Sequence, residues 1–192
     1  AAGIGFDRIT VHVPQYSVAY MKEHMKGVLE NYRYALEPFI LKNIIIGIEN
    51  QHLKKNITSD ERGYGYIPEE CLAFADELSA FAGYQKIGVH LDIGHAYSNW
   101  PLSDIYPVLR WFEMCGARIN GVHIHQFDAA SSPERPYTSG HHHIVGRVGG
   151  NPSMTDLYFA WEHGLSKAPI FIETDRGDEY KPFPSYLRLI EE

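Results

Sequence analysis

Short apolar runs alternate with longer amphipathic segments along the whole chain. The apolar, β-branched runs predict five strands, at residues 8–13, 44–49, 87–91, 119–125 and 169–173. The segments between them have apolar residues at helical spacing and predict helices at 18–42, 68–82, 102–115 and 154–164, with a last helix at 184–192. Strands that alternate with helices in this way are typical of βαβ units and a parallel sheet.

The helix ends carry recognisable signals. Pro68 stands at a predicted helix start, and Ser153 precedes the helical run that follows it. Gly83 and Gly116 are placed where a helix commonly ends in a glycine. Residues 128–152 form the longest stretch without periodicity, and a loop of that length after a strand is more often functional than idle.

The repeated strand–helix pattern predicts a (β/α)₈ TIM barrel that is incomplete at its N-terminal side. A barrel of this type usually needs about 250 residues. This chain has 192, and about six units can be recognised if residues 140–148 supply one more strand. We therefore expect residues 1–192 to form a single barrel domain lacking its first βα units, with the residues AAGIG as the end of a helix. The open strands at 8–13 and 169–173 would then be covered by further residues of a longer native protein or by a neighbouring chain.

Composition and charge narrow the range of partners. The chain carries 17 basic and 24 acidic side chains, a formal net charge of −7, and no block of Lys or Arg, which disfavours nucleic acid as a partner. No apolar run is long enough to predict a membrane span. Two cysteines without metal-binding spacing indicate buried thiols and a cytoplasmic location.

Acidic residues and a histidine stand at the ends of four predicted strands. Glu49, Asp92, His125 and Glu173 each close one of these strands. Because the strand ends of a parallel barrel open on one face, these side chains can converge on one point. Burying several carboxylates close together is unfavourable unless a cation compensates their charge. The pattern therefore predicts a shared site for one divalent ion, Mn²⁺, Zn²⁺ or Mg²⁺.

The remaining histidines divide by their position. Strand alternation puts His123 and His125 on the same side of their strand, with His125 nearer the open face and the better ligand. His90 lies on the side of Asp92 but deeper, where it would fill an interior layer or support a ligand. Histidines in helix or loop positions are expected to face solvent: His24, His52 and His163.

These motifs together resemble the xylose isomerase-like TIM barrel superfamily, which contains sugar isomerases, sugar-phosphate epimerases and endonuclease IV. A strand ending in Glu is matched by GIEN at Glu49, and a terminal strand Glu by IFIET at Glu173. The Asp-x-x-His pattern is matched by LDIGH, which contains Asp92 and His95. The His-x-x-acid pattern is matched by HQFD, which contains His125 and Asp128. A loop His-x-x-x-Gly element fits His142 with Gly146, although His143 is an alternative.

The resemblance implies a role for each matched residue. Glu49, Asp92, His125 and Glu173 would bind the metal, and the two glutamates would also move a proton on either side of a substrate carbon through an enediolate. The substrate-binding set implied by the resemblance comprises His95, His12 and His142, with Arg147 or Arg176 at a distal hydroxyl, carboxylate or phosphate. The expected activity is that of a sugar or sugar-phosphate isomerase or epimerase.

Two other functions remain open from the sequence. An endonuclease IV-like zinc phosphodiesterase acting on abasic DNA would need three zinc ions; His12 matches one of its early histidines, but Gly140 stands where that branch has an aspartate. The second is a barrel of this family that binds a small ligand without turning it over. We expect a small-molecule carbohydrate as the partner, no membrane and no nucleic acid, and the sequence leaves a homo-oligomer open.

Overall fold

A single parallel sheet organises the molecule. The computed structural model describes residues 5–52, 62–99, 101–125, 152–164 and 168–173. Within these residues the predicted strands are confirmed, as β1 Arg8–His12, β2 Ile45–Glu49, β3 Ile87–Asp92, β4 Ile119–Ile124 and β5 Ile170–Ile172. They pair in the order β1-β2-β3-β4-β5, parallel throughout, in a sheet that curls into part of a barrel. The expected count of about six units is not tested by these residues.

Helices connect the strands. They are α1 Val18–Leu41, α2 Pro68–Ala82, α3 Ile93–Ser98, α4 Leu102–Ile105, α5 Val108–Cys115 and α6 Met154–His163, and a 3₁₀ turn covers Gly116–Arg118. The predicted caps are present: Pro68 opens α2, Ser153 forms a capping box with Asp156, and Gly83 ends α2 at a left-handed φ of 62°. Among the described helices, none combines the length and apolar character that crossing a bilayer would require.

The prediction of one helix over residues 102–115 was wrong. The structure has two helices there, α4 and α5, separated at Tyr106 and Pro107. Pro107 has no N–H for a helical hydrogen bond, and its ring disfavours helical geometry at the preceding residue. Tyr106 accordingly adopts φ −121° and ψ 67°, and the chain restarts its helix at Val108.

The strands present different chemistry to their two sides. On β2 and β3 alternate residues such as Ile46, Ile48, Val89 and Leu91 are fully buried and belong to the apolar core. The helices cover that side with residues such as Met21, Phe74, Leu78 and Trp111, all likewise fully buried. From Gly47 on β2 and Gly88 on β3 onward, the intervening positions carry glycine, histidine and acid, so the concave side of the sheet is polar towards the strand ends.

Two strands form the edges of the described sheet. Among the described strands, β1 pairs only with β2 and β5 only with β4, as expected for the open strands. Ile9, Val11 and Ile172 on these edge strands are partly buried and pack against the apolar core. Ile170 is 37% exposed. The expected helix tail at 1–4, the strand near 140–148 and the helix at 184–192 lie outside the described residues.

Candidate metal centre

The register of the sheet brings the polar strand ends to one edge. His12 pairs with Glu49 across β1 and β2, and Glu49 pairs with His90 across β2 and β3. Asp92 then pairs with His123 across β3 and β4. Glu173 follows β5, and its N–H donates to the Ile124 carbonyl at 3.3 Å. Side chains far apart in the sequence are thereby gathered at the carboxyl ends of the strands.

Four side chains form a group that could hold a metal ion. One ligand atom each from Glu49, Asp92, His123 and Glu173 lies within 4.8 Å of all the others. His123 Nδ1 is 2.9 Å from Glu49 Oε1, 3.5 Å from Glu173 Oε2 and 3.8 Å from Asp92 Oδ2. Three carboxylates and an imidazole are a donor set suited to Mn²⁺, Zn²⁺ or Mg²⁺.

Burial and charge make this group strongly attractive to a cation. Asp92 is fully buried and Glu49 is 5% exposed. Burial alone would lower the pKa of the His123 imidazole, but the carboxylates of Asp92 and Glu49 outweigh it and raise that pKa to about 10. Burial alone would raise the pKa of Asp92, whereas the nearby His95 and His125 hold it well below its usual range. The Asp92 carboxylate therefore remains ionised and favours positive charge beside it.

The two oxygens of Asp92 have different surroundings. Oδ1 accepts a hydrogen bond from the His95 N–H at 2.7 Å, which makes Asp92 the N-cap of α3. Oδ2 is buried and accepts no hydrogen bond within the described residues. An ionised oxygen left in that state is costly unless a cation compensates it, so the residues present fit a divalent ion.

His125, the histidine expected as ligand, lies against the same carboxylates. Its Nε2 is 3.7 Å from Asp92 Oδ1 and its Nδ1 is 3.7 Å from Glu173 Oε2. The ring is fully buried and lies so close to Gly94 that a Cβ there would overlap it. The group within 4.8 Å contains His123 in its place, so the assignment of His125 as ligand stays a prediction.

Three more histidines line the same edge. His12 Nε2 lies 3.5 Å from Glu49 Oε2, and the His12 side chain is 51% exposed. His95 is buried, with Nδ1 3.0 Å from the Asn50 carbonyl oxygen. His52 was expected to face solvent, but it is half-buried and its ring stacks on His95 at 4.9 Å between centroids. His24 and His163 are exposed, as expected.

Other expected site residues lie outside the described part of the chain. They are Asp128, His142, His143, Gly146, Arg147 and Arg176. Their proposed roles stay predictions.

His90 fills the interior directly below the metal-ligand group, as its position on β3 indicated. It is 2% exposed, and its Nδ1 lies 3.2 Å from the Thr10 hydroxyl. Its ring meets the His123 ring edge-on at 4.2 Å between centroids. Gly121 provides the room, because a Cβ there would come within 2.5 Å of His90 Nδ1. Burial and the charge of His123 lower the pKa of His90 to about 3, so the ring is neutral.

The sequence analysis did not identify Asn50. This residue follows Glu49, is fully buried, and exchanges two hydrogen bonds with the backbone of Asp92. Its position beside a strand-end glutamate is the only sequence signal. An asparagine after a strand is ordinarily interpreted as a turn residue, so its partner 42 positions later could be found only in the fold.

No family model and no curated protein sequence matches the chain. Solved structures match its fold over almost its whole length. A xylose isomerase domain protein from Planctomyces limnophilus has a TM-score of 0.64 at 14% identity, with 98% of this chain and 58% of that chain covered. A D-tagatose 3-epimerase-like protein has a TM-score of 0.58 at 18% identity, with 96% and 63% covered.

A third match is endonuclease IV from Thermus thermophilus, with a TM-score of 0.59, 18% identity, and 95% and 62% of the two chains covered. The resemblance to xylose isomerase-like TIM barrels is therefore confirmed at the level of the fold. The chain spans about three fifths of the length of these structures.

Proposed function

We propose that this chain carries the metal centre of a sugar or sugar-phosphate isomerase or epimerase. The observation that supports this most directly is the approach of Glu49 and Glu173 to the same imidazole, at 2.9 and 3.5 Å from His123 Nδ1. Two carboxylates at the ends of different strands, with Glu49 ending β2 and Glu173 just after β5, lie beside one imidazole and are suited to take a proton from a substrate carbon and return it. The epimerase-like match supports the same class of reaction.

The two glutamates differ in their surroundings. The Glu49 side chain is 6% exposed and is in contact with His12 and His123, whereas the Glu173 side chain is 42% exposed. A carboxylate that is exposed to solvent, as Glu173 is, can exchange its proton with water. A buried carboxylate, as Glu49 is, keeps its proton available for the substrate. We propose that Glu49 and Glu173 act on the two faces of the reacting carbon, with His95 and His12 orienting substrate oxygens.

The metal ion would be held by the carboxylates of Glu49, Asp92 and Glu173 together with one imidazole. When bound, a divalent ion supplies positive charge that stabilises the enediolate oxygens. The chain's own part is to fix the ligands, and Asp92 does so through its N-cap bond to α3.

Isotope exchange tests the proposed proton transfer directly. In D₂O with Mn²⁺ and a panel of ketoses and ketose phosphates, we expect the chain to exchange the substrate α-proton. Glu49→Gln and Glu173→Gln should each abolish this exchange, because the amide cannot accept the proton while it keeps the side chain's size. NMR loss of the α-proton signal is the measurement.

The matched control is Glu113→Gln, which changes an exposed carboxylate on α5 and should leave exchange unaltered. Loss in only one of the two site variants would indicate a single base that takes and returns the proton. Exchange that persists in both would overturn the proposal.

A zinc phosphodiesterase is the second candidate, and His12 beside Glu49 is the observation that favours it. A site with three zinc ions needs additional histidines near the glutamate. Metal analysis separates the two functions: one ion per chain supports the isomerase, and three ions with cleavage of an abasic DNA duplex would replace it.

A further inference from the structure

Asn50 joins the strands that carry two of the proposed metal ligands. Its Nδ2 donates to the Asp92 carbonyl at 3.0 Å, and its Oδ1 accepts from the Asp92 N–H at 2.7 Å. The side chain therefore pairs with both backbone groups of one residue, as a neighbouring strand would.

This pairing occurs where the strands themselves no longer pair. The last β2–β3 pair in the register is Glu49 with His90, two residues before Asp92. Without the Asn50 side chain, the Asp92 N–H and carbonyl would lose the hydrogen bonds that they make on the β2 side. Asp92 is the residue whose carboxylate must be directed at the ion. Asn50 supplies these hydrogen bonds from the residue next to Glu49, so one side chain links the positions of both carboxylates.

The same residue also contacts the proposed substrate-binding histidine. The Asn50 carbonyl oxygen lies 3.0 Å from His95 Nδ1, so that nitrogen carries the hydrogen in the neutral ring. Asn50 thus contacts both ends of the Asp92-x-x-His95 motif. It is fully buried and therefore does not reach solvent.

We propose that Asn50 is a positioning residue for the cation site, which holds Asp92 at the spacing from Glu49 that a divalent ion requires. This inference rests on the proposed metal centre. Ligands must be held within a few tenths of an ångström for tight binding, and partners that orient ligands commonly contribute about 10–100-fold to metal affinity.

Affinity for Mn²⁺, measured by titration calorimetry on the whole chain, is the direct test. We expect Asn50→Ala to bind Mn²⁺ about 10–100-fold more weakly than the unmodified chain while remaining folded by circular dichroism. Asn50→Asp keeps the side chain's size and its acceptor for the Asp92 N–H but replaces the donor by an oxygen facing the Asp92 carbonyl. It should also bind more weakly, although its added negative charge alone would tighten cation binding.

The matched control is Asn120→Ala. Asn120 Nδ2, on β4, donates to the Ile46 carbonyl of β2 at 2.8 Å. It is also a side-chain amide bonded to the backbone of another strand, but its acceptor lies three residues before Glu49. Its loss should change Mn²⁺ affinity by less than about threefold, because no ligand backbone depends on it.

Each outcome has a distinct meaning. Weaker binding in both Asn50 variants with the control unchanged supports the proposal. Unchanged or tighter binding in Asn50→Asp, or equal losses in the Asn120 control, would overturn the positioning role and leave the metal centre standing. Failure of both Asn50 variants to fold would make Asn50 a folding residue instead. Absence of Mn²⁺ binding by the unmodified chain would refute the metal centre and this role together.

Discussion

At the residue scale, the two imidazoles beside Asp92 differ in how firmly they are held. The His125 ring is fully buried against Gly94, with one nitrogen near Asp92 and the other near Glu173. His123 is 21% exposed, and its Nδ1 is already engaged with Glu49 at 2.9 Å. A rigidly held ligand loses less freedom on binding a cation, which favours His125.

Alanine substitution separates these two histidines. We expect His125→Ala to weaken Mn²⁺ binding by more than the roughly 10–100-fold that loss of an outer-shell partner costs. His123→Ala should have the smaller effect, because it removes a group that occupies Glu49 in the absence of metal. Titration calorimetry provides both constants. If His123→Ala weakens Mn²⁺ binding more than His125→Ala does, the metal ligand would be His123, which belongs to the group of four within 4.8 Å.

At the element scale, an ion pair fixes the start of α2 to the loop that precedes it. Arg62 and Glu70 make two hydrogen bonds, at 2.9 and 2.6 Å, and their side chains are only 18% and 11% exposed. Glu70 also accepts from the Gly65 N–H at 2.8 Å. Gly65 in turn bonds to Gln51, just beyond the end of β2, so the ion pair supports the edge that carries Glu49.

Removing the charge of Glu70 should therefore destabilise the chain. We expect Glu70→Gln to lower the free energy of unfolding by about 1–3 kcal/mol, because a charged and mostly buried acceptor is replaced by a neutral one. Urea unfolding followed by circular dichroism measures the change. The comparison variant is Glu113→Gln, which alters an exposed pair with Arg110 and should stay within about 0.5 kcal/mol. Equal effects in the two variants would show that the buried pair contributes no more than a surface pair.

At the scale of the whole molecule, the proposed cation would connect distant parts of the chain. Its ligands stand at the ends of β2 and β3, on or just after β4, and directly after β5. An ion that binds only the folded arrangement stabilises all of these strands together, in proportion to its concentration relative to Kd.

Thermal unfolding measures this linkage. At free Mn²⁺ about 100-fold above Kd, we expect stabilisation of about 2.7 kcal/mol and a Tm increase of about 5–10 °C, reversed by EDTA. Asp92→Asn keeps the oxygen that caps α3 but removes the charge, and its Tm should respond much less. A similar increase in Asp92→Asn would show that Mn²⁺ stabilises the chain from another site.

The sequence by itself determined the element order and most of the chemistry of the strand ends. Alternation of β-branched runs with helical segments predicted β1 to β5. Each element must bury one apolar face, and the spacing of its apolar residues shows whether it is a strand or a helix. Glu49, Asp92 and Glu173 followed from the same periodicity, because parallel strands end on one face. Local signals such as Ser153 and Gly83 were confirmed, because a cap depends only on its nearest neighbours.

The tertiary structure decided whatever depends on register between strands. It placed His123 beside Glu49, brought His52 onto His95 and gave Asn50 its partner at Asp92. Periodicity fixes which side of a strand a residue faces, and His123 and His125 share a side. Which of the two is placed as the metal ligand depends on how far each strand extends past its neighbour. That offset is set by packing of all the strands together, and no local pattern in the sequence encodes it.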